Sequence, residues 1–240
     1  MISSFFHTVI YAPIYNALAF IVANLPGGDV GVAIIIITVI VKLILLPLAV
    51  RASRTQHAMR DLEPKLREIR EKNKDNNEAL ARATLALYKE SGVNPFASFF
   101  LLFLQIPIIL GLYWVILAEG VKGTFDPAVL YSWVHAPETV SFTFLGVVAL
   151  AGGSIFLSVL VAVTQLLQAR LMMPVAPTPT GKGFQDDLAA SMHLQMRYVF
   201  PIVLGVVSYV AGGAIALYFI TSNIFGIIQE LIARKLHYGN

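Results

Sequence analysis

The sequence predicts an all-α integral membrane protein with five transmembrane helices and a charged helical hairpin outside the bilayer. Of its 240 residues, 57% are hydrophobic and only 13% are charged, which is far more apolar than a soluble domain. The apolar residues gather in blocks long enough to form spanning helices. Ten of the 17 Lys and Arg residues fall in one segment, between Arg51 and Val93.

The first predicted span, about residues 29–50, carries one charge, Lys42, inside an otherwise apolar run. A helix of that length is about 33 Å long and crosses a bilayer core of roughly 30 Å. A lysine at such a depth costs about 2.5–3.5 kcal/mol, so it needs a partner, a water-filled cavity or a route to the headgroups. The last alternative stays open, because Lys42 lies about 12 Å from the end of the span and its stem could snorkel.

The stretch before this span, residues 1–28, is moderately apolar and is broken by Pro13, Asn16 and Asn24. Its apolar residues recur at helical spacing and give the segment one apolar face. No Lys or Arg precedes the apolar stretch, which argues against a signal peptide. We therefore expect an external interfacial helix, with a further span as the alternative.

The charged segment is predicted to be a helical hairpin, residues 54–91. Met59, Leu62, Leu66 and Ile69 follow a helical spacing, and the same spacing returns at Leu80 after a polar NKDNN turn. Over residues 51–93, ten basic residues against seven acidic ones give a net charge of +3. Most of these charges are expected to lie on solvated helix faces.

Four more spans are predicted at about residues 94–118, 142–170, 196–211 and 213–235. The last apolar block is too long for one span, and Gly212 and Gly213 mark a turn within it. A loop of residues 119–141 precedes the third span, and a Pro- and Gly-rich loop, PVAPTPTGKGFQDD, follows it.

The distribution of basic residues predicts the orientation. The hairpin, the Pro-rich loop with its flanks and the C-terminal end together hold 15 of the 17 Lys and Arg residues, whereas only Lys122 falls on the opposite side. By the positive-inside rule, these segments are cytoplasmic and the N-terminus is outside.

Sorted by depth, the polar side chains concentrate in the cytoplasmic halves of the spans. Thr38 and Lys42 are four residues apart and therefore share one helix face. A single Ser, Thr or Gln in a span usually forms an interhelical hydrogen bond. Because many lie at the depth of the lysine, we expect a hydrated pocket that is closed outwards and open inwards. Its predicted residues are Lys42, Thr38, Gln105, Gln165, Gln168, Tyr218, Thr221 and Asn223.

Several classes of function are disfavoured. Cysteine is absent, the five histidines form no HExxH pattern, and there is no GxxxxGK[ST] motif, so no metal, nucleotide or other cofactor is expected. A hydrolase would need a base beside Ser158 or Ser222, and no His, Asp or Glu is expected within a span. A small-solute or anion transporter with Lys42 as its site remains the alternative, although it predicts a polar lining through to the outer face.

Three stretches closely resemble the YidC/Oxa1/Alb3 family of membrane protein insertases. They are LYKESGVNPFASFFLLFLQIPIILGLYWVI from Leu87, ALYFITSNIFGIIQE from Ala216 and VKLILLPL from Val41. The resemblance implies five core spans, a cytoplasmic hairpin and a groove open to cytosol and lipid. Residues 29–240 would then form the insertase core.

The sequence departs from the family pattern at two positions in the spans. Lys42 matches the position of a family arginine, and arginine stays protonated in proteins, so only lysine depends on groove hydration for its charge. Gly212 stands where the family has a proline. The long basic tail of some members is also missing, so ribosome contact would come from the hairpin, the second cytoplasmic loop or the RKLHYGN end.

The resemblance implies an insertase of the bacterial cytoplasmic membrane rather than an enzyme. Its clients would be nascent membrane proteins, whose hydrophilic segments enter the groove while their apolar helices slide along the spans. The ribosome and membrane lipids are implied partners, and specific nucleic acids are not. Action alone and action with the Sec translocon both remain open.

Overall fold

The computed structural model describes residues 4–73, 76–94, 97–120, 123–172, 191–192 and 194–238. Most of them are helical, as predicted. The helices, numbered in chain order, are α1 (Ser4–Asn24), α2 (Val30–Asp61), α3 (Glu63–Lys72), α4 (Asn77–Glu90), α5 (Ala97–Gly120), α6 (Ile155–Met172), α7 (Gln195–Ala211) and α8 (Gly213–Tyr238). Two short antiparallel strands, β1 (Thr143–Phe144) and β2 (Val148–Ala149), lie between α5 and α6.

Four helices in the described ranges are long and apolar enough to cross a membrane: α1, α2 as far as Met59, α6, and α8 as far as Lys235. Two shorter apolar helices, Gln105–Ala118 within α5 and Gln195–Ala211, accompany them. The predicted class of helical membrane protein is confirmed. The count of five spans and the sidedness of the hairpin stay predictions.

Helix α8 occupies the centre of the bundle, where it contacts α2, α5, α6 and α7. Small residues allow close approach: a Cβ on Gly205 of α7 would lie 3.1 Å from Ala162 Cβ and from the Ser158 carbonyl oxygen of α6. Small residues at such crossings are the usual means of packing in lipid, where burying apolar surface gives helices little net attraction.

The N-terminal helix α1 packs against α2 and α5. Asn16, which interrupts its apolar pattern, is buried, and its side chain donates to the Val129 carbonyl (3.1 Å) and accepts from the Tyr131 N–H (2.6 Å). The Tyr15 hydroxyl accepts from the Asp126 N–H at 2.6 Å. These polar residues therefore join α1 to the loop after α5. Interfacial and spanning positions for α1 both stay open.

The helix predicted to begin at Phe142 begins instead at Ile155. Residues 143–149 form the β1–β2 hairpin, so this part of the predicted third span is wrong. The stretch is apolar and rich in Val and Phe, and hydropathy alone does not distinguish such a run from a helix. The loop is held to the start of α2, because Ser141 exchanges backbone hydrogen bonds with Gly28 (2.8 Å) and Val30 (3.0 Å).

The predicted hairpin is present as a helical pair but differs in its first arm. Helix α2 continues without interruption to Asp61, and α3 follows and contacts α4. The Asn76 side chain caps α4 by accepting from the Ala79 N–H at 3.0 Å. Burial of Tyr88 in the pair raises the pKa of its phenol.

The turn predicted at Gly212 and Gly213 is confirmed. Helix α7 ends at Ala211, α8 begins at Gly213, and Gly212 has a φ of 101°. A proline, whose φ is fixed near −65°, is incompatible with this backbone. The Pro-rich loop predicted after α6 and the extreme C-terminus lie outside the described residues.

Candidate functional site: a lysine in a polar helix junction

Lys42 lies near the middle of the apolar part of α2 and points towards two neighbouring helices. Its Nζ donates to Gln105 Oε1 of α5 at 3.2 Å, and Gln105 Nε2 donates to Ser222 Oγ of α8 at 3.2 Å. The Tyr218 hydroxyl interacts with the side chains of both Gln105 and Ser222. Three helices therefore meet through one chain of neutral polar groups that ends at the ammonium.

This arrangement bears on the snorkelling alternative. The half-buried Lys42 makes its hydrogen bond inside the bundle, with an amide oxygen that α5 supplies. Gln105 is held in turn by Ser222, which is buried. The ammonium is thus directed into the helix junction instead of extending along α2 towards the headgroups.

Helix α6 adds a second set of polar contacts with α8. Asn223 Nδ2 donates to Thr164 Oγ1 at 3.1 Å, and Asn223 is buried. The Gln168 amide lies directly against Gly226, so closely that a Cβ on that glycine would overlap it. Gln165 is half-buried on the same helix. These contacts link α6 to α8 but are separate from the hydrogen bonds of Lys42.

The two predicted threonines make local hydrogen bonds. Thr38 Oγ1 donates to the Ile34 carbonyl at 2.6 Å, and Thr221 Oγ1 donates to the Leu217 carbonyl at 2.8 Å. Each bond runs to the preceding turn of its own helix, a common way of satisfying a hydroxyl in an apolar environment. Thr38 does share the face of Lys42, as its spacing predicts, but its hydroxyl is occupied by its own helix.

The surroundings become apolar on the side of Lys42 that leads to the N-terminal end of α2. A small cavity there is lined by Ile14, Ile37, Thr38, Val41, Ile108, Leu112 and Tyr218. Its aliphatic lining comes from α1, α2 and α5, and among the described residues only the Tyr218 phenol brings an ionisable group to it. The described hydrogen bonds of the lysine therefore lie on the side away from this cavity.

The charge of Lys42 is not balanced by a carboxylate in the described part of the chain, where the ion pairs involve other residues. Its hydrogen-bond acceptor is a neutral amide. An unbalanced cation at this depth costs about 2.5–3.5 kcal/mol on insertion scales. Such a group is able to attract an acidic segment that reaches the junction.

A second polar cluster joins α2 to α8 further along both helices, and the sequence analysis missed it. Buried Glu230 accepts from Ser53 Oγ (3.0 Å) and Arg234 Nε (2.9 Å), and its Oε1 lies 3.3 Å from His57 Nε2. Arg234 also donates to the Leu171 carbonyl of α6. Glu230 bonds to Ser53 and not to Ser158 or Ser222, so the prediction that neither of those serines has a base is not contradicted, but the burial of Glu230 and His57 was not predicted.

The missed cluster has a recognisable sequence signal. Ser53 and His57 are four residues apart on α2, and Glu230 and Arg234 are four apart on α8, so each pair shares one helix face. Both pairs lie at the polar end of a long apolar run, where single charges usually reach water. Only the packing of α2 on α8 turns two solvated faces into one buried cluster.

The sequence of this chain is similar to those of known membrane proteins. Residues 21–239 match the family described as 60Kd inner membrane protein. A protein of Oceanobacillus iheyensis named "Membrane protein insertase YidC" is 33% identical over 218 residues, which are 89% of this chain and 78% of that protein. One of the same name from Clostridium tetani is 32% identical over 93% of this chain and 89% of its own length. A longer one from Francisella tularensis subsp. novicida is 31% identical over 88% of this chain and 33% of its own length.

Proposed function

This chain belongs to the 60Kd inner membrane protein family, and we propose that it is a membrane protein insertase whose working site is the polar junction at Lys42. It transfers hydrophilic segments of client proteins across the bacterial inner membrane and releases their apolar helices into the lipid. The task requires no change in covalent bonds, so the proposal includes neither an enzymatic step nor a cofactor.

The observation that carries this proposal is the one-sided environment of Lys42. The ammonium donates to Gln105 of α5, which in turn donates to Ser222 of α8, while aliphatic side chains line the cavity beyond it. A polar group left unsatisfied in hydrocarbon costs several kcal/mol. A client segment that exchanges hydrogen bonds with this junction avoids much of that cost over the first half of its path.

The junction works in this proposal as a hydrated groove that opens to the cytosol and to lipid. Lys42 attracts acidic client segments, and the amides and hydroxyls replace part of their hydration. The client-binding residues are the eight predicted from the sequence: Lys42, Thr38, Gln105, Gln165, Gln168, Tyr218, Thr221 and Asn223. Ser222 and Thr164 join them, because they hold Gln105 and Asn223 in place.

The proposed topology has five core spans within residues 29–240 and an external interfacial helix within residues 1–28. The N-terminus is outside, and the α3–α4 hairpin lies in the cytosol as a docking arm for clients. Ribosomes, membrane lipids and the Sec translocon are the proposed partners. Cysteines introduced at Asn77, Pro177 and Asn240 of this cysteine-free chain should react with a membrane-impermeant maleimide only from the cytosolic side.

An anion or small-solute transporter is the competing function for an intramembrane lysine. Such a protein needs polar groups along the whole path. The aliphatic lining beside Thr38 supports insertion over transport, because a client helix is able to leave sideways whereas a solute must cross this barrier.

The decisive experiment measures insertion in a host depleted of its own insertase and complemented with variants of this chain. The clients are matched pairs whose translocated segments differ only in charge. We expect Lys42→Arg to insert both, Lys42→Gln to insert mainly neutral segments, and Lys42→Glu to fail with acidic ones. Lys122→Glu, a charge reversal at a lysine that is not among the proposed client-binding residues, is the matched control.

Two results would contradict the proposal. Normal insertion of acidic segments by Lys42→Glu would remove the electrostatic role of the junction. Failure of the unmodified chain to restore any client, despite normal amounts in the membrane, would refute the insertase function itself.

A further inference from the structure

The turn between β1 and β2 has an unusual residue at its tip. Leu145 and Gly146 both have positive φ, 49° and 71°, and the Val147 N–H donates to the Phe144 carbonyl at 3.0 Å. Because Phe144 pairs with Val148, the loop has three residues, and the first two adopt the positive φ that glycine and asparagine accept more readily than leucine. A leucine in the left-handed region is strained, because its Cβ crowds the following backbone.

The strained leucine gains no packing within the described chain. Leu145 is 66% exposed and Val147 is 82% exposed, so the turn directs two aliphatic side chains away from the protein. In water this arrangement combines backbone strain with exposed apolar surface. Strain that persists in a native structure points to a functional constraint at that position.

The hydrogen bonds of the turn fix its position relative to the start of α2. The Leu145 N–H donates to Asp29 Oδ2 at 2.7 Å, and Asp29 Oδ1 accepts from the Gly31 N–H at 2.7 Å. Asp29 directly precedes α2, which has the highest hydropathy of the candidate spans. Phe144 lies against Gly31, where a Cβ would be only 2.5 Å from its ring. The tip is therefore held beside the first turn of α2.

We propose that the Leu145–Gly146–Val147 tip inserts into the boundary between headgroups and acyl chains of the leaflet in which α2 begins. The occupant is lipid, because the tip adjoins the first turn of a span and because α6, a second candidate span, also begins with exposed apolar residues, Ile155 and Phe156. Aliphatic side chains at this boundary leave water while the turn's backbone keeps its hydrogen bonds. This inference is independent of the groove at Lys42.

Fluorescent labelling tests the depth of the tip directly. Single cysteines replace Leu145, Val147 or Glu138 in the 240-residue, cysteine-free chain, and each is labelled with NBD. Glu138 is the control, because it is an exposed polar residue of the same loop. The proteins are reconstituted in phosphatidylcholine–phosphatidylglycerol vesicles, with or without a nitroxide near the carbonyl end of the acyl chain.

We expect NBD at positions 145 and 147 to emit at shorter wavelength than at 138, to be quenched by the nitroxide lipid and to be protected from aqueous iodide. Quenching by iodide equal to that at 138 would overturn the proposal. Protection from both quenchers would overturn it too, because it would mean that protein covers the tip.

A second variant separates the turn from its lipid contact. Asparagine accepts the positive φ at position 145 better than leucine does, so Leu145→Asn should retain the hairpin. With NBD at Val147, this substitution should shift the emission to longer wavelength and raise quenching by iodide. An unchanged spectrum would show that Leu145 does not hold the tip in lipid and would overturn the inference.

Discussion

Two charges on the same pair of neighbouring helices, one half-buried and one buried, have opposite surroundings. Among the described residues Lys42 of α2 donates to a neutral amide, Gln105, which in turn donates to Ser222 of α8. Glu230 of α8 is fully engaged by Ser53, His57 and Arg234. One site leaves its charge uncompensated, and the other surrounds its charge with donors.

The difference teaches which cluster serves stability and which serves function. A compensated buried charge is costly to disturb, because removal of one partner leaves the others unpaired. An uncompensated charge lowers the stability of the protein without a ligand. Because it has no charged partner within the protein, it is able to pair with a charge on the ligand. We infer that the Glu230 cluster fixes where α2 leaves the bundle, whereas the Lys42 junction remains available to clients.

The largest effect is expected when the compensated cluster is broken. Glu230→Ala should lower the free energy of unfolding by up to about 3–5 kcal/mol, because it removes the acceptor of Ser53 Oγ and the charged partner of Arg234. Steric trapping in lipid bicelles measures this quantity.

Glu230→Gln is the matched control for that measurement. Glutamine keeps the volume of the side chain and an oxygen that is able to accept from Ser53. Its free energy of unfolding should therefore fall less than that of Glu230→Ala. Equal stability of the alanine variant and the unmodified chain would refute the structural role of the cluster.

Removal of the uncompensated charge should have the opposite effect on stability. Lys42→Met should raise the free energy of unfolding, with an upper bound of about 2.5–3.5 kcal/mol, since methionine avoids the cost of a buried cation. The same variant should insert acidic client segments poorly. The comparison would fail if Lys42→Met were as destabilising as Glu230→Ala.

A smaller and local effect is expected at the hairpin. Asn76→Ala removes the side-chain cap of α4 and should cost that helix about 1 kcal/mol. Amide exchange in the first turn of α4 should accelerate about fivefold, and exchange in α8 should not change. Asn76→Asp, which also caps, is the control; equal acceleration in both variants would argue against the cap.

The smallest effect is expected at Gly226, where α8 lies under Gln168 of α6. In Gly226→Ala the methyl group displaces the flexible end of that side chain, and the gain of about 1 kcal/mol in helix propensity offsets the contact that is lost. The free energy of unfolding should therefore stay within about 1 kcal/mol of its original value. Gly205→Ala should lower the free energy of unfolding more, because a Cβ at that position meets the backbone oxygen of Ser158. Equal losses of stability in the two variants would contradict this reasoning.

Hydropathy and residue spacing were sufficient to predict much of the molecule. The helical membrane class, the interruption at Gly212 and Gly213, and the shared face of Thr38 and Lys42 follow from patterns that neighbouring residues create. The motifs around Val41, Leu87 and Ala216 were sufficient to predict the family. Such features depend on the chain within a few helical turns, so the sequence alone determines them.

Other features depend on contacts between distant segments, and only the tertiary structure decided them. The run from Phe142 is as apolar as a helix, but its backbone pairs with itself and binds Asp29, 116 residues away. The sequence alone predicts that Glu230 is solvated, whereas in the fold it is buried against Ser53 and His57 of α2. Gln105 was one of many polar candidates until α5 brought it to Lys42, 63 residues away. Hydrogen bonding in an apolar medium is set by the donor that packing brings within about 3 Å, and residue order does not encode that proximity.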